Sequence, residues 1–408
     1  MAHLISFDTL KLLLGGGVAF LLTYLFTFGV IALARKAGWV EKPVTGKLHT
    51  KSMPRLGGLG MYAAFLVASL LLYAPFVLQQ PATEYIFGYK YPKELGFYVL
   101  FLVASALIVG VHAYDDVHPL KPLTKLIAQT VAVLILMGPG LQHFHGVLFF
   151  GIHNPLPGAA IAENPALPWY QEPVLTLFIH QPIVSFMAIP AVLFTWFWMV
   201  GMMNAVNFID GIDGLAAGTV AIAGIFMAII SWMLGQETVA LLAAIFTGAV
   251  AGFLPHNWSP ARIWMGDSGS TFLGIGLATL AVIGGAKFAL VLIVLGIPIL
   301  DIAWVAFNRI RRGQNPMQRD ELPLYARQTH LHYRLLLGGL SMRQVCLVLY
   351  ASTLLLGTCA LFLHSVYKIL GIVLAVVLMA SLLTWSTRLQ IKREERLKRE
   401  ELAKRDIA

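Results

Sequence analysis

Long apolar runs, one after another, leave this chain few folds to choose from. The hydrocarbon core of a bilayer is about 30 Å thick and a helix rises about 1.5 Å per residue, so about 20 mostly apolar residues cross it. That length recurs eleven times, at 12–34, 57–78, 96–113, 123–141, 183–203, 215–234, 238–254, 270–286, 287–307, 344–364 and 368–386. Lipid offers no partner to backbone amides, so each run reads as a helix, and the alternating ten-residue segments of a barrel are absent. Only 12% of the 408 residues are charged and 58% are hydrophobic. A soluble chain carries about 25% charged residues, so a water-soluble globule and a disordered chain are both excluded. The expected fold is all-α and polytopic. The first run is too long for a cleavable signal, follows a single basic residue, Lys11, and leads into no small-residue cleavage pattern. Cys346 and Cys359 lie thirteen residues apart on one expected helix. That separation is about 20 Å along the axis, too far for a disulfide.

The net charge of +9 has two readings, a polyanionic partner or membrane topology, and the positions of the basic residues decide between them. Of 29 Lys and Arg, 24 fall after the odd-numbered spans or in the tail; Lys11, Lys90, Lys93, Lys287 and Lys368 make up the other side. Cytoplasmic loops attract the basic excess, which places the N-terminus outside and the C-terminus in the cytoplasm. No nucleic-acid partner is then needed to explain the charge. Residues 1–386 read as one integral membrane domain and 387–408 as a charged cytoplasmic tail.

Acids at membrane depth are costly and default to functional roles. Five aspartates fall in three short motifs, each at the cytoplasmic mouth of a span. Asp115-Asp116 closes span three, with Lys125 opening span four. Adjacent carboxylates repel, so such a pair calls for a cation or a shared proton. The run Asn204-Ala-Val-Asn207-Phe-Ile-Asp210-Gly-Ile-Asp213-Gly-Leu215 ends span five, and its Asn204, Asn207 and Asp210 step by three down one helical face. Such oxygen ligands suit Mg²⁺, with Mn²⁺ as an alternative. Gly266-Asp267-Ser268-Gly269-Ser270 enters span eight; its turn could offer backbone N–H groups to phosphate while Asp267 holds the metal. A fourth motif, Arg327-Gln-Thr-His330-Leu-His332-Tyr333-Arg334, supplies donors for phosphate. Together the four mouths fit Mg²⁺-assisted phosphoryl transfer. The rival is a secondary transporter with Asp116, Asp210 and Asp301 as an ion path, but the acids crowd one mouth and no internal repeat is visible.

In their order and spacing these motifs resemble the polyprenyl-phosphate N-acetylhexosamine-1-phosphate transferase family. The resemblance covers about residues 35–345 and includes Lys47-Leu-His49 and Pro54-Arg55-Leu-Gly57-Gly58. It implies transfer of a sugar 1-phosphate from a UDP-N-acetylhexosamine to a polyprenyl phosphate, with release of UMP, at the cytoplasmic face of the inner (plasma) membrane. The acceptor is expected to be undecaprenyl phosphate, and a homodimer is left open. Within the family, His330-x-His332-Tyr333-Arg334 and eleven spans resemble the UDP-N-acetylglucosamine branch. The alternative is the phospho-N-acetylmuramoyl-pentapeptide transferases, which carry three consecutive histidines and ten spans. The chain departs from the pattern at Tyr333, Arg327 and Gly46.

The resemblance also implies roles. Asn207 and Asp267 would hold Mg²⁺, with Asp210 close by. Asp115 would be the candidate base on the lipid phosphate with Asp116 as its partner, and Lys125 and Mg²⁺ would compensate their charge. A phosphate monoester has a second pKa of about 6, so Asp115 has little proton to remove and acts as much by positioning. Asn204 and Asp213 would bind substrate, and His330, His332 and Arg334 would grip the donor pyrophosphate. Lys47, His49 and Arg55 read as loop residues, and Asp301 as a structural acid paired with Arg309 or neighbouring helix groups. No metal site is expected from His143, His145, His153 and His180 in the outer loop.

Overall fold

The computed structural model describes residues 7–41, 52–82, 84–86, 89–138, 182–284, 288–313, 330–363 and 367–405. The expectations at Gly46, Lys47, His49, Lys287, Arg327 and in the outer loop 142–181 lie outside these. Fourteen helices carry the described chain, with two short antiparallel hairpins, β1 (Val40–Glu41) with β2 (Met53–Pro54) and β3 (Glu84–Ile86) with β4 (Tyr89–Tyr91). The protein is an all-α polytopic membrane protein, and among the described residues nine helices are long and apolar enough to cross a bilayer.

These nine match expected spans. They include α1 (Phe7–Lys36), α4 (Lys93–Val117), α6 (Pro182–Ile209), α7 (Leu215–Met233), α8 (Glu237–Asn257), α9 (Gly266–Ile283), α13 (Met342–Phe362) and α14 (Lys368–Arg405). The other is composite. Helix α2 (Gly57–Ala68) passes through a π-helical turn, Ser69–Tyr73, into α3 (Ala74–Leu78). Pro75 has no amide hydrogen for the regular ladder, and the wider turn absorbs that loss.

Two expected spans differ. The run 123–141 forms α5 (Pro122–Met137), only 16 residues long, because Gly138 turns left-handed (φ 60°) and ends the helix. The run 287–307 divides into α10 (Phe288–Val294) and α11 (Gly296–Arg311), interrupted at Leu295. Pro298 lacks the N–H that would bond the Val294 carbonyl, so the ladder fails where the chain breaks.

Helix α9 is the axis of the bundle, with 16 of its 18 residues buried. Beside it, Phe65, Phe101, Phe246 and Phe272 from α2, α4, α8 and α9 pack edge-on or tilted at 5.5–6.3 Å between centroids. Helices α1 and α8 approach closely through small residues. A Cβ at Gly248 would overlap the Gly16 carbonyl, and one at Gly252 the Phe20 carbonyl. In lipid, where apolar surface gains nothing by hiding, such backbone proximity is what holds helices together. The outward faces of α1 and α14 expose Leu13, Leu21, Leu25, Ile369 and Val373, as a lipid-facing surface should.

Candidate active site

Three helix ends build the mouth. The end of α4 supplies Asp115 and Asp116, the end of α6 supplies Asn207 and Asp210, and the start of α9 supplies Asp267. The segment 54–58 is laced to the approach of α9: Trp264 N–H donates to Pro54 O (2.9 Å), Gly57 N–H to Trp264 O (3.0 Å) and Gly58 N–H to Met265 O (2.9 Å). Gly58 lies so close to Gly269 that a Cβ there would overlap its backbone.

Asp116 caps α9 from another helix. Its Oδ1 accepts from Asp267 N–H (2.8 Å), and its Oδ2 from Ser268 N–H (3.1 Å) and the Ser268 hydroxyl (2.8 Å). This corrects the expectation that these N–H groups are open to phosphate: the anion at the helix N-terminus is Asp116 itself, a favoured place for a carboxylate. Asp116 therefore fixes Asp267 and is a positioning residue.

Asp115, 8% exposed, accepts from Leu120 N–H (2.7 Å) and pairs with Lys125. Lys125 also donates to Asp267 Oδ2 (2.7 Å), so one ammonium joins the two carboxylates. Asp267 Oδ1 accepts from Asn207 Nδ2 (3.1 Å), which also donates to Ser270 Oγ (2.8 Å). Burial first, then the Asp267 and Asp116 carboxylates, push the pKa of Asp210 up to about 7 against an opposing pull from Arg55. Arg55 itself pairs with Glu41 (3.0 Å).

Four carboxyl groups thus share one mouth, with Lys125 bridging Asp115 and Asp267. That all-oxygen, negatively charged donor set fits a divalent cation. Among the described residues no three His, Cys, Asp or Glu side chains form a ready-made metal cage. Mg²⁺ commonly takes one or two protein oxygens and completes its shell with water and substrate phosphate, which suits the Asn207–Asp267 pair.

The remaining expected residues separate. Asn204 Nδ2 donates to Gln129 Oε1 (3.0 Å) and Val200 O (2.8 Å), tying α6 to α5. Asp213, 4% exposed, accepts from Ala261 N–H (3.0 Å) and so anchors the 258–262 loop. His330 occupies the N-cap position of α12 (Leu331–Leu337), and its Nδ1 lies 2.9 Å from Asp301 Oδ2. His332 is 2% exposed and stacks on His330; burial and the neighbouring His330 hold its pKa well below the ordinary value. A neutral buried ring is no cationic clamp. Arg334 donates to Thr387 Oγ1 (2.6 Å) on α14. The three do not form a single grip on phosphate, and His330 is the member left for that task. They are nonetheless docked on the Asn/Asp motif. Phe208 stacks on His330 (5.9 Å), Tyr333 Oη donates to Gly211 O (3.3 Å), and a Cβ at Gly211 would overlap His332 Nε2.

The chain is also similar to known proteins. The glycosyl transferase family 4 pattern matches residues 98–285. A decaprenyl-phosphate N-acetylglucosaminephosphotransferase of Mycolicibacterium smegmatis is 32% identical over 365 residues, covering 83% of this chain and 79% of that protein. The chain belongs to glycosyl transferase family 4. A probable undecaprenyl-phosphate N-acetylglucosaminyl 1-phosphate transferase of Bacillus subtilis is 29% identical over 85% of this chain and 84% of its own length. A phospho-N-acetylmuramoyl-pentapeptide-transferase of Staphylococcus epidermidis is 40% identical, but over only 29% of this chain and 38% of its own length.

The family 4 match contains the whole carboxylate cluster and stops short of the histidine motif and of its supports on α11 and α14. Those supports are what the sequence left unmarked. Asp301, expected to be structural, accepts from both His330 and Leu331 N–H (2.8 Å). Residues 387–405, expected to be a tail, continue α14 without a break, and Gln390 and Arg393 donate to carbonyls of α12. His112, one turn before Asp115, is 1% exposed; its Nδ1 lies 3.0 Å from Ile108 O and its Nε2 is unpartnered. A histidine in an apolar span was its one visible signal. A cavity of about 500 Å³ lies at the other end of the bundle beside Tyr73, Glu94 and Glu237 and shares none of these groups.

Proposed function

We propose that this family 4 protein transfers N-acetylglucosamine 1-phosphate from UDP-N-acetylglucosamine to a polyprenyl phosphate, with undecaprenyl phosphate as the default carrier, at the cytoplasmic mouth of the inner membrane. The observation that carries it is the convergence of Asp115, Lys125, Asn207, Asp210 and Asp267 at one bundle end. The relatives' names, matched over more than four-fifths of the chain, support the substrates. A phosphate oxygen of the lipid attacks the sugar-bearing phosphorus of the donor, and UMP leaves. Mg²⁺, when held by Asn207 and Asp267, neutralises charge on the reacting phosphates. Lys125 neutralises Asp115 and orients Asp267. Asp115, already ion-paired, places the lipid phosphate rather than deprotonating it. His330 contacts the donor phosphates.

The pentapeptide alternative is not favoured, since its match covers only 29% of the chain. The transporter alternative is weakened because Asp116 spends its oxygens capping α9 and Asp301 spends its oxygens on Leu331 N–H and His330. Purified protein with Mg²⁺, polyprenyl phosphate and labelled UDP-N-acetylglucosamine is expected to release UMP and form a lipid-linked sugar. No product with any UDP-N-acetylhexosamine would sink the reading. Asp267→Ala is expected to abolish turnover while the protein still inserts, and retained activity would remove Asp267 from the cation shell.

A further inference from the structure

The histidine motif is held by an acid that the transfer reaction has not yet used. Asp301 lies on α11, 5% exposed, and both of its oxygens are engaged by the start of α12. Oδ1 accepts from Leu331 N–H at 2.8 Å, and Oδ2 lies 2.9 Å from His330 Nδ1. A carboxylate can only accept, so Nδ1 carries a proton in either charge state of the ring. The imidazole is then left with Nε2 as its position for substrate. Two stacked neighbours fix the plane of the ring, Phe208 at 5.9 Å and 25° and His332 at 5.6 Å and 16°. Phe208 sits directly after Asn207, so the stack also sets the ring's height relative to the carboxylate cluster.

We propose that Asp301 is a positioning residue that fixes the tautomer and angle of His330, so that Nε2 meets the phosphates of the sugar nucleotide. This rests on the transferase reading above. A helix cap alone would need only the oxygen on Leu331; the oxygen on His330 does separate work. The arrangement parallels carboxylates elsewhere that orient an imidazole through its second nitrogen, where loss of the partner costs about 10–100-fold. Asp301→Asn is the informative change, because it keeps the shape. Its amide NH₂ facing Nδ1 would force Nδ1 to accept and move the ring proton to Nε2, the wrong tautomer.

The test is a double-mutant cycle on purified full-length protein, measuring kcat and KM for UDP-N-acetylglucosamine together with the melting temperature. Asp301→Asn is expected to lower kcat/KM about 10–100-fold. In a His330→Ala background the same change is expected to alter kcat/KM less than about twofold, since its effect acts through that ring. Asp301→Ser leaves a small polar side chain but removes the partner of His330; it covers the case in which the Asn protein does not fold, and the same loss is expected. The proposal is overturned if either variant matches the wild type, or if Asp301→Asn costs as much without His330 as with it. Transfer by the wild type with an unimpaired Asp301 variant removes only the positioning role. No transfer by the wild type removes the transferase reading and this role with it.

Discussion

Gly211 shows how much one missing side chain does. It lies between Asp210 and the docked ring of His332, where a Cβ would overlap Nε2 and press on the Tyr333 hydroxyl. Overpacking of this kind costs about 1–3 kcal/mol. Gly211→Ala is therefore expected to lower the melting temperature and to reduce kcat/KM at least about tenfold, because α12 must shift to make room. Asp210 itself gives a pH prediction. Its pKa is about 7 in the folded protein against 3.8 for the free side chain, so between these values the folded state binds more protons than the unfolded state. Stability falls with rising pH wherever that holds. In the absence of divalent cations the melting temperature is expected to drop from pH 4 to pH 7, and Asp210→Asn is expected to flatten that dependence. A wild-type profile that rises across the window would contradict it. At this scale the carboxylates were legible because charge is so scarce beside lipid. Asp301 announced itself as an acid too, but its partner His330 stands 29 residues away, and no local pattern couples them.

Among the elements, α12 depends most on its neighbours. Seven residues are too few for a helix to persist alone. It is held at its start by Asp301 and along its length by α14, through Arg334 to Thr387, Gln390 to Arg334 O and Arg393 to Leu336 O and Leu337 O. Truncation after Ser386 is expected to cut kcat/KM at least about tenfold while the protein still inserts, since each lost hydrogen bond to the helix is worth about 1 kcal/mol. Truncation after Arg396 is expected to leave turnover near wild type. Equal activity of the two truncated proteins would show that α14 does not hold the site. Composition alone made 387–408 a tail, because a charged helix and a charged coil read alike. Hydropathy likewise showed that 123–141 and 287–307 are apolar, but not that Gly138 and Pro298 would shorten the one and divide the other. Those outcomes turn on backbone hydrogen bonds, to which a hydropathy window is blind.

Across the whole molecule, the basic residues and the site make the same demand. If the carboxylate mouth faces the cytoplasm, the start of α4 must face outside, because Lys93 and Asp116 lie at opposite ends of one 25-residue helix. The C-terminal end of α14 must then lie with the carboxylates, since Gln390 and Arg393 hold the helix that begins after His330. Orientation therefore turns on two reporters. The natural thiols need removal first; Cys346 is buried and donates to Asp213 O (3.3 Å), so alanine is the smaller disturbance there. In such a background, Lys93→Cys is expected to react with a membrane-impermeant maleimide in intact cells. Arg396→Cys is expected to react only after the membrane is opened. The reversed pattern would place the carboxylates outside, away from a cytoplasmic nucleotide sugar, and the positive-inside assignment and the proposed donor would fall together.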